Sequence, residues 1–254
     1  MAMALPVAGT LRRSVWPPAP ADLSDVLNIV DHPSPNFGER RGGVRPDMVV
    51  LHYTAMTSAD AALERLCCPD HEVSAHYLID GRGVILRLVD EENRAWHAGA
   101  GQWGRVTDVN SHSIGIELAN PGTVPFAADQ MDALERLLTD IIERWFMAPE
   151  RVIAHSDMAP SRKIDPGPRF DWRRLALGGL SVWPQVTLDF EAREDEFLQG
   201  LAAFGYPDAP IEALLPAFRA RFRPNHHGPL DAIDMAMAHD LATRFPVDPD
   251  DWLA

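Results

Sequence analysis

The segment from His155 to Pro168 places an imidazole, a lysine (Lys163) and a carboxylate (Asp165) in one loop braced by Pro160, Pro166 and Pro168. Upstream, Val49-Val50-Leu51-His52-Tyr53-Thr54 is a β-branched apolar run that reads as a buried strand carrying a histidine near its end. Taken singly, these are two core histidines and a carboxylate capping a turn. Together, His52, His155 and Asp165 form a ligand set suited to catalytic zinc, with the fourth position left to water. Such an ion lowers the pKa of its water and polarises a carbonyl, the two requirements for hydrolysing an amide.

Amide hydrolysis also needs a group that moves a proton and one that steadies an oxyanion. Glu117 lies within the apolar run Ser113-Ile114-Gly115-Ile116-Glu117-Leu118, where burial raises a carboxyl pKa and suits it to proton transfer. Lys163 precedes Asp165 by two residues, and in an extended loop such residues point to the same side. Its ammonium is the candidate electrostatic stabiliser. Trp96 and His97 are candidates for lining a substrate groove, and His76 either supports a ligand or packs within the sheet.

The elements that must hold these groups are legible from periodicity. Strands are expected at 48–53, 74–79, 84–89, 113–118 and 152–154, with Asp80-Gly81-Arg82-Gly83 supplying a hairpin turn. A short helix is expected at 59–66. Met131, Leu134, Leu137, Leu138, Ile141, Ile142 and Trp145 recur at three- and four-residue steps and predict a helix over 130–145 with one apolar stripe. After Trp183-Pro184 the strand patterns stop and three amphipathic helices follow, at 190–204, 211–222 and 231–245. Residues 15–47, rich in Pro, Asp, Asn, Gly and Arg, read as a surface lead-in without regular structure. No internal repeat is visible.

Composition narrows the function classes. Of 254 residues 46% are hydrophobic, enough for a globular core, and the formal charge of −14 disfavours nucleic acid and anionic membranes as partners. Cys67 and Cys68 are the two cysteines, are adjacent, and read as small buried residues. His226-His227 reads as an exposed loop without a carboxylate partner, and Glu191, Glu194, Asp195 and Glu196 as a solvated helix face. Residues 1–14 lack a continuous apolar stretch and cleavage site, so the chain as written is expected to be cytoplasmic; the alternative is a periplasmic protein whose leader is absent from this sequence.

Five motifs, in order, carry a family resemblance: His52-Tyr53-Thr54, Val73-Ser74-Ala75-His76-Tyr77-Leu78-Ile79, Trp96-His97-Ala98-Gly99, Ser113-Ile114-Gly115-Ile116-Glu117 and Lys163-Ile164-Asp165-Pro166-Gly167-Pro168. Over about residues 34–175 the chain resembles the zinc-dependent N-acetylmuramoyl-L-alanine amidases, which share a fold with peptidoglycan recognition proteins. The resemblance implies hydrolysis of the amide between the lactyl group of N-acetylmuramic acid and L-alanine. It maps the zinc ligands onto His52, His155 and Asp165, and the family's glutamate and lysine onto Glu117 and Lys163. Some relatives use a proton-transferring tyrosine where Ala75 stands, which leaves Glu117 as the base. Leu201-Ala202-Ala203-Phe204-Gly205-Tyr206 and the segment 217–224 resemble, more loosely, a three-helix peptidoglycan-binding domain.

The expectation is an α/β protein with a mixed central sheet flanked by helices over 1–183 and a small three-helix bundle over 184–254. It is expected to be a monomeric zinc amidase acting on peptidoglycan fragments. Two rivals remain: a peptidoglycan recognition module without catalysis, and a zinc peptidase acting on the stem peptide itself.

Overall fold

The computed structural model describes residues 27, 29–186 and 190–248; the reading of residues 1–14 therefore lies outside the described residues. Strands β1 (Ile29–Asp31) and β2 (Phe37–Glu39) come first, followed by β3 (Met48–Tyr53), helix α1 (Ala59–Cys67), β4 (Tyr77–Ile79), β5 (Ile85–Arg87) and β6 (Asn93–Ala95). Then come α2 (Val109–His112), β7 (Ser113–Leu118), α3 (Ala128–Trp145), β8 (Val152–Ala154), α4 (His155–Met158) and α5 (Trp172–Leu177). Helices α6 (Glu194–Phe204), α7 (Ile211–Phe222) and α8 (Ala232–Arg244) close the fold.

The main sheet has the order β1-β5-β4-β7-β3-β8, and all neighbours are parallel except β4 and β5. That one antiparallel pair is the expected hairpin: Asp80 Oδ1 accepts from the Arg82 and Val84 amides, and Gly83 takes the positive φ of 80° that the turn demands. The expectation of an irregular lead-in is corrected. Within it β1 pairs with β5 and β2 pairs with β6, and three-residue strands are too short to leave a periodic signal.

The alternation of β3 and β7 divides the core. Val49, Leu51, Ile114 and Ile116 face α3, whose Leu134, Leu137, Leu138 and Ile141 are fully buried against them. Each such side chain contributes roughly 1.5–3 kcal/mol by leaving water. Met48, Val50 and Ile153 face the other way and share a core with Phe197, Leu201, Phe218, Phe222 and Leu241 of the three C-terminal helices. The bundle therefore serves as the second covering layer of the sheet.

Arg221 fastens it there. Its guanidinium lies 2.5 Å from Asp157 Oδ2 of α4 and donates to the Val152 carbonyl at 3.0 Å, while Tyr206 donates to Asp157 Oδ1 at 2.6 Å. Arg221 also lies 4.4 Å from the centre of the Trp172 ring. Asp157 Oδ2 in turn accepts from the Ala154 amide, closing the turn that leads into His155.

Two smaller expectations changed. Cys67 and Cys68 are free and half-buried, since α1 ends at the edge of a small satellite core. His226 does have a carboxylate partner: the Gly228-Pro229 turn brings Asp231 Oδ2 to 2.9 Å from its Nε2. That cluster is already neutralised, because Arg223 engages Asp231 and Asp234 and Arg219 engages Asp234. Glu191, Glu194, Asp195 and Glu196 are exposed, as expected.

Candidate metal centre and active site

His52 lies on the bundle-facing side of β3, beyond Met48 and Val50, at the carboxyl end of the sheet. β8 runs alongside β3, pairing Ala154 with Leu51, so the next residue, His155, arrives beside His52 at the start of α4. The loop after α4 returns Asp165 to the same point, with its carbonyl accepting from the Ser156 amide at 3.0 Å. The result is a near-equilateral triangle of donor atoms. His52 Nδ1 is 2.9 Å from His155 Nδ1, and both are 3.0 Å from Asp165 Oδ2.

These three residues fit a metal ion by the polarity of their hydrogen bonds. His155 Nε2 lies 2.9 Å from the Ala98 carbonyl, which only accepts, so the hydrogen of the neutral ring sits on Nε2 and the Nδ1 lone pair faces inward. His52 is neutral at pH 7, its pKa lowered to about 4 by burial and then by His155. Burial works against ionisation of Asp165, but the two imidazoles beside it outweigh that and hold it well below the usual carboxylate range. The inward His155 lone pair and the Asp165 anion, with His52 Nδ1 beside them, offer three donor atoms to one cation. A tetrahedral zinc site with bonds of about 2.05 Å has ligand-to-ligand edges of about 3.3 Å, so this triangle needs to open by only a few tenths of an ångström. Both imidazoles have their outer nitrogens engaged, as ligating histidines do.

Glu117 sits on β7 directly opposite His52 of β3, so both side chains project on the same face. Its Oε2 is buried with no hydrogen-bond partner. Its pKa is raised to about 8, first by burial and then by the Asp165 charge, with Lys163 pulling the other way. An acid poised near neutrality and free to bond is what proton transfer calls for. Lys163 lines the same cleft of about 390 Å³, as do Trp96, His97 and Tyr53.

Residue by residue, the cleft gathers His52, His155, Asp165, Glu117, Lys163, Trp96 and His97. His97 differs from the expectation in how it contributes. Its Nδ1 lies 3.0 Å from His52 Nε2 and its Nε2 lies 3.2 Å from Ser113 Oγ, which leaves neither nitrogen for a substrate. His76 packs within the sheet: its Nδ1 accepts from the Gly115 amide at 2.9 Å and its Nε2 lies 3.1 Å from the Asn93 carbonyl. Sequence reasoning passed over Arg162, which donates from Nε to the Ala100 carbonyl at 2.7 Å and also bonds Ala98, tying the metal loop to the Trp96-His97-Ala98-Gly99 loop. A single loop arginine leaves no periodic or motif signal.

The family description N-acetylmuramoyl-L-alanine amidase matches residues 42–168, half of the chain and the span holding every residue above. The chain belongs to this family. Among its relatives, N-acetylmuramoyl-L-alanine amidase AmiD of Escherichia coli is 38% identical over 237 residues, covering 80% of this chain and 85% of its own. The 1,6-anhydro-N-acetylmuramyl-L-alanine amidase AmpD of Salmonella typhimurium is 32% identical over 173 residues, covering 61% of this chain and 92% of its own. The Escherichia coli AmiD structure, solved with anhydro-N-acetylmuramic acid-L-Ala-D-γ-Glu-L-Lys, superposes with a TM-score of 0.72 at 33% identity, covering 83% of this chain and 98% of that one. The fold is the amidase fold, and the AmiD match extends past the sheet into the helices.

Proposed function

We propose that this amidase hydrolyses the amide between the lactyl group of N-acetylmuramic acid, in its anhydro or ordinary form, and L-alanine of the stem peptide, and that it depends on zinc. The observation that carries the reading is the convergence of His52 Nδ1, His155 Nδ1 and Asp165 Oδ2 within 3.0 Å of one another, beside an unpartnered Glu117. When bound there, zinc supplies Lewis acidity to a carbonyl and makes a water acidic.

The remaining steps fall to the chain. Glu117 takes a proton from the attacking water as its oxygen adds to the lactyl carbonyl. Lys163 places its positive charge beside the oxyanion that develops. Glu117 then returns the proton to the alanine nitrogen as the carbon–nitrogen bond breaks, leaving a lactyl carboxylate and a free peptide amine. Trp96 lines the substrate cleft. Residues 184–254, whose described part carries α6, α7 and α8, are read as a peptidoglycan-binding-like domain. In support, a groove of about 1060 Å³ between α7 and the loop carrying Lys163 and Ile164 adjoins the cleft at those two residues.

On this reading the enzyme is a monomer acting in the cytoplasm on anhydro-muropeptides during recycling; among the described residues no helix is long and apolar enough to cross a membrane. The test is incubation of the purified protein, with and without chelator, with anhydro-muramyl-tetrapeptide and with intact murein, followed by mass identification of products. Chelator-sensitive release of the whole peptide from the small substrate is expected. Equal attack on murein would assign it to periplasmic turnover, shortened peptides would make it a peptidase, and no release would end the enzymatic reading.

A further inference from the structure

His155 has its tautomer set by a backbone carbonyl, which has no choice of role. His52 does not. Its outer nitrogen faces another imidazole, His97 Nδ1 at 3.0 Å, and an imidazole nitrogen either donates or accepts. If His97 donated, the His52 hydrogen would move to Nδ1 and point into the donor triangle, where it would block a metal ion. Something must fix the direction of this bond.

Following the chain outward shows what does. His97 Nε2 lies 3.2 Å from Ser113 Oγ, and Ser113 Oγ lies 2.6 Å from the Val109 carbonyl, one turn back along α2. A carbonyl only accepts, so the single hydroxyl hydrogen of Ser113 goes to Val109. Ser113 Oγ therefore accepts from His97 Nε2–H. In a neutral ring that leaves His97 Nδ1 as an acceptor, so His52 donates from Nε2 and its Nδ1 lone pair faces His155 and Asp165.

The packing around His97 exists to seat this ring. A Cβ on Gly115 would lie 2.4 Å from His97 Cγ, so glycine at the centre of β7 is the space the imidazole occupies. Asn110 Oδ1 accepts from the backbone amides of His97 and Ala98, at 3.1 and 2.8 Å, and fixes the loop from the other side.

We infer that His97 is a positioning residue: seated on Gly115 and oriented by Ser113 and Val109, it fixes His52 in the tautomer whose Nδ1 lone pair faces the metal position. The inference rests on the metal-centre reading, and its test separates the two. Long-range ¹H–¹⁵N correlation spectra of the ¹⁵N-histidine-labelled, metal-free protein read each tautomer directly, and His52 and His97 are both expected to carry hydrogen on Nε2. Zinc affinity, measured by competition with a fluorescent chelator, is expected to fall about 10- to 100-fold in His97→Leu. His97→Asn, whose amide oxygen still accepts from His52, is expected to recover most of that loss, and Ser113→Ala to lie between.

Unchanged zinc affinity in a folded His97→Leu, or a spectrum with the His52 hydrogen on Nδ1, would overturn the inference. If the wild-type protein itself binds no zinc, the metal-centre reading fails, while the spectrum still decides the direction of the hydrogen-bond chain. A His97→Leu that does not fold leaves that decision to the wild-type spectrum.

Discussion

His52 and Glu117 are register partners across the parallel strands β3 and β7, one a donor to the metal triangle and the other a carboxyl with an unpartnered oxygen. The pairing is a consequence of strand alternation. Met48 and Val50 lie under the bundle with Ser113 and Gly115 opposite them, and the next residues on that face are His52 and Glu117 at the end of the apolar layer. The sheet thus carries this pair where its packed core stops.

Burying Glu117 carries a cost that a neutral analogue removes. Its pKa, ordinarily 4.5, rises to about 8, so between those values the folded protein holds a proton that the unfolded chain releases. Stability of the metal-free protein is therefore lost through this group as pH rises from 4.5 to about 8. Glu117→Gln is expected to abolish activity and yet raise metal-free stability at pH 8 by roughly 1–3 kcal/mol, with the gain vanishing near pH 4. Urea denaturation of both proteins across that range checks the sign.

Lys163 shares the cleft with Glu117 and the donor triangle but is not needed to hold a metal ion. Lys163→Met keeps the aliphatic stem and deletes the charge. Removing a stabiliser of a developing oxyanion costs about 100- to 1,000-fold in kcat. KM should change little and zinc affinity should not fall, because a cation beside the metal position has been removed. Steady-state kinetics with a chelator titration separates this from loss of the metal.

The sheet was largely readable in the sequence because β3, β7 and β8 carry dense apolar runs and α3 carries a full helical stripe. The convergence of His52, His155, Asp165 and Glu117 on one cleft was readable because motif residues at strand ends leave few places to go. What was hidden depends on contacts distant in sequence. β2 and β6 are three residues each and are stabilised by one another. The direction of the Ser113–His97–His52 chain is set by a carbonyl in α2, and nothing in the residue types of Ser113 or Gly115 announces it. Likewise, nothing in the apolar spacing of the helices after residue 190 announces that Phe197, Phe218 and Phe222 share a core with Met48 and Val50.

The attachment of that bundle is testable at Arg221, whose side chain is 1% exposed and faces an Asp157 that is fully buried. Replacing one member of such a pair strands the other charge and typically costs about 3–5 kcal/mol. Arg221→Met is expected to destabilise by that order and, because Asp157 closes the turn leading into His155, to weaken zinc binding as well. Tyr206→Phe, which removes one hydrogen bond to the same carboxylate, is expected to cost about 1.5–3 kcal/mol. Urea melts with zinc titrations on both variants check the ordering.

Three histidines with lowered pKa values make the metal-free protein sensitive to acid. Burial is the largest cause for each: it lowers His52 to about 4 and His76 to about 3, and drives His97 well below the ordinary 6.5. Between about pH 6.5 and pH 4 the unfolded chain therefore binds protons at these positions that the folded protein does not. Stability falls as pH falls through that window, by up to about 1.4 kcal/mol per pH unit for each ring that stays neutral. Zinc should oppose the loss near neutrality, where it holds His52 unprotonated, and release as acid competes for the same lone pair. Chelator-treated protein is expected to show a steep decline in unfolding free energy below pH 6.5, and His97→Asn a shallower one, since it removes one of the three rings. Equal slopes for the two would mean that His97 takes up its proton in the folded protein as readily as in the unfolded chain, so that burial does not hold its pKa down.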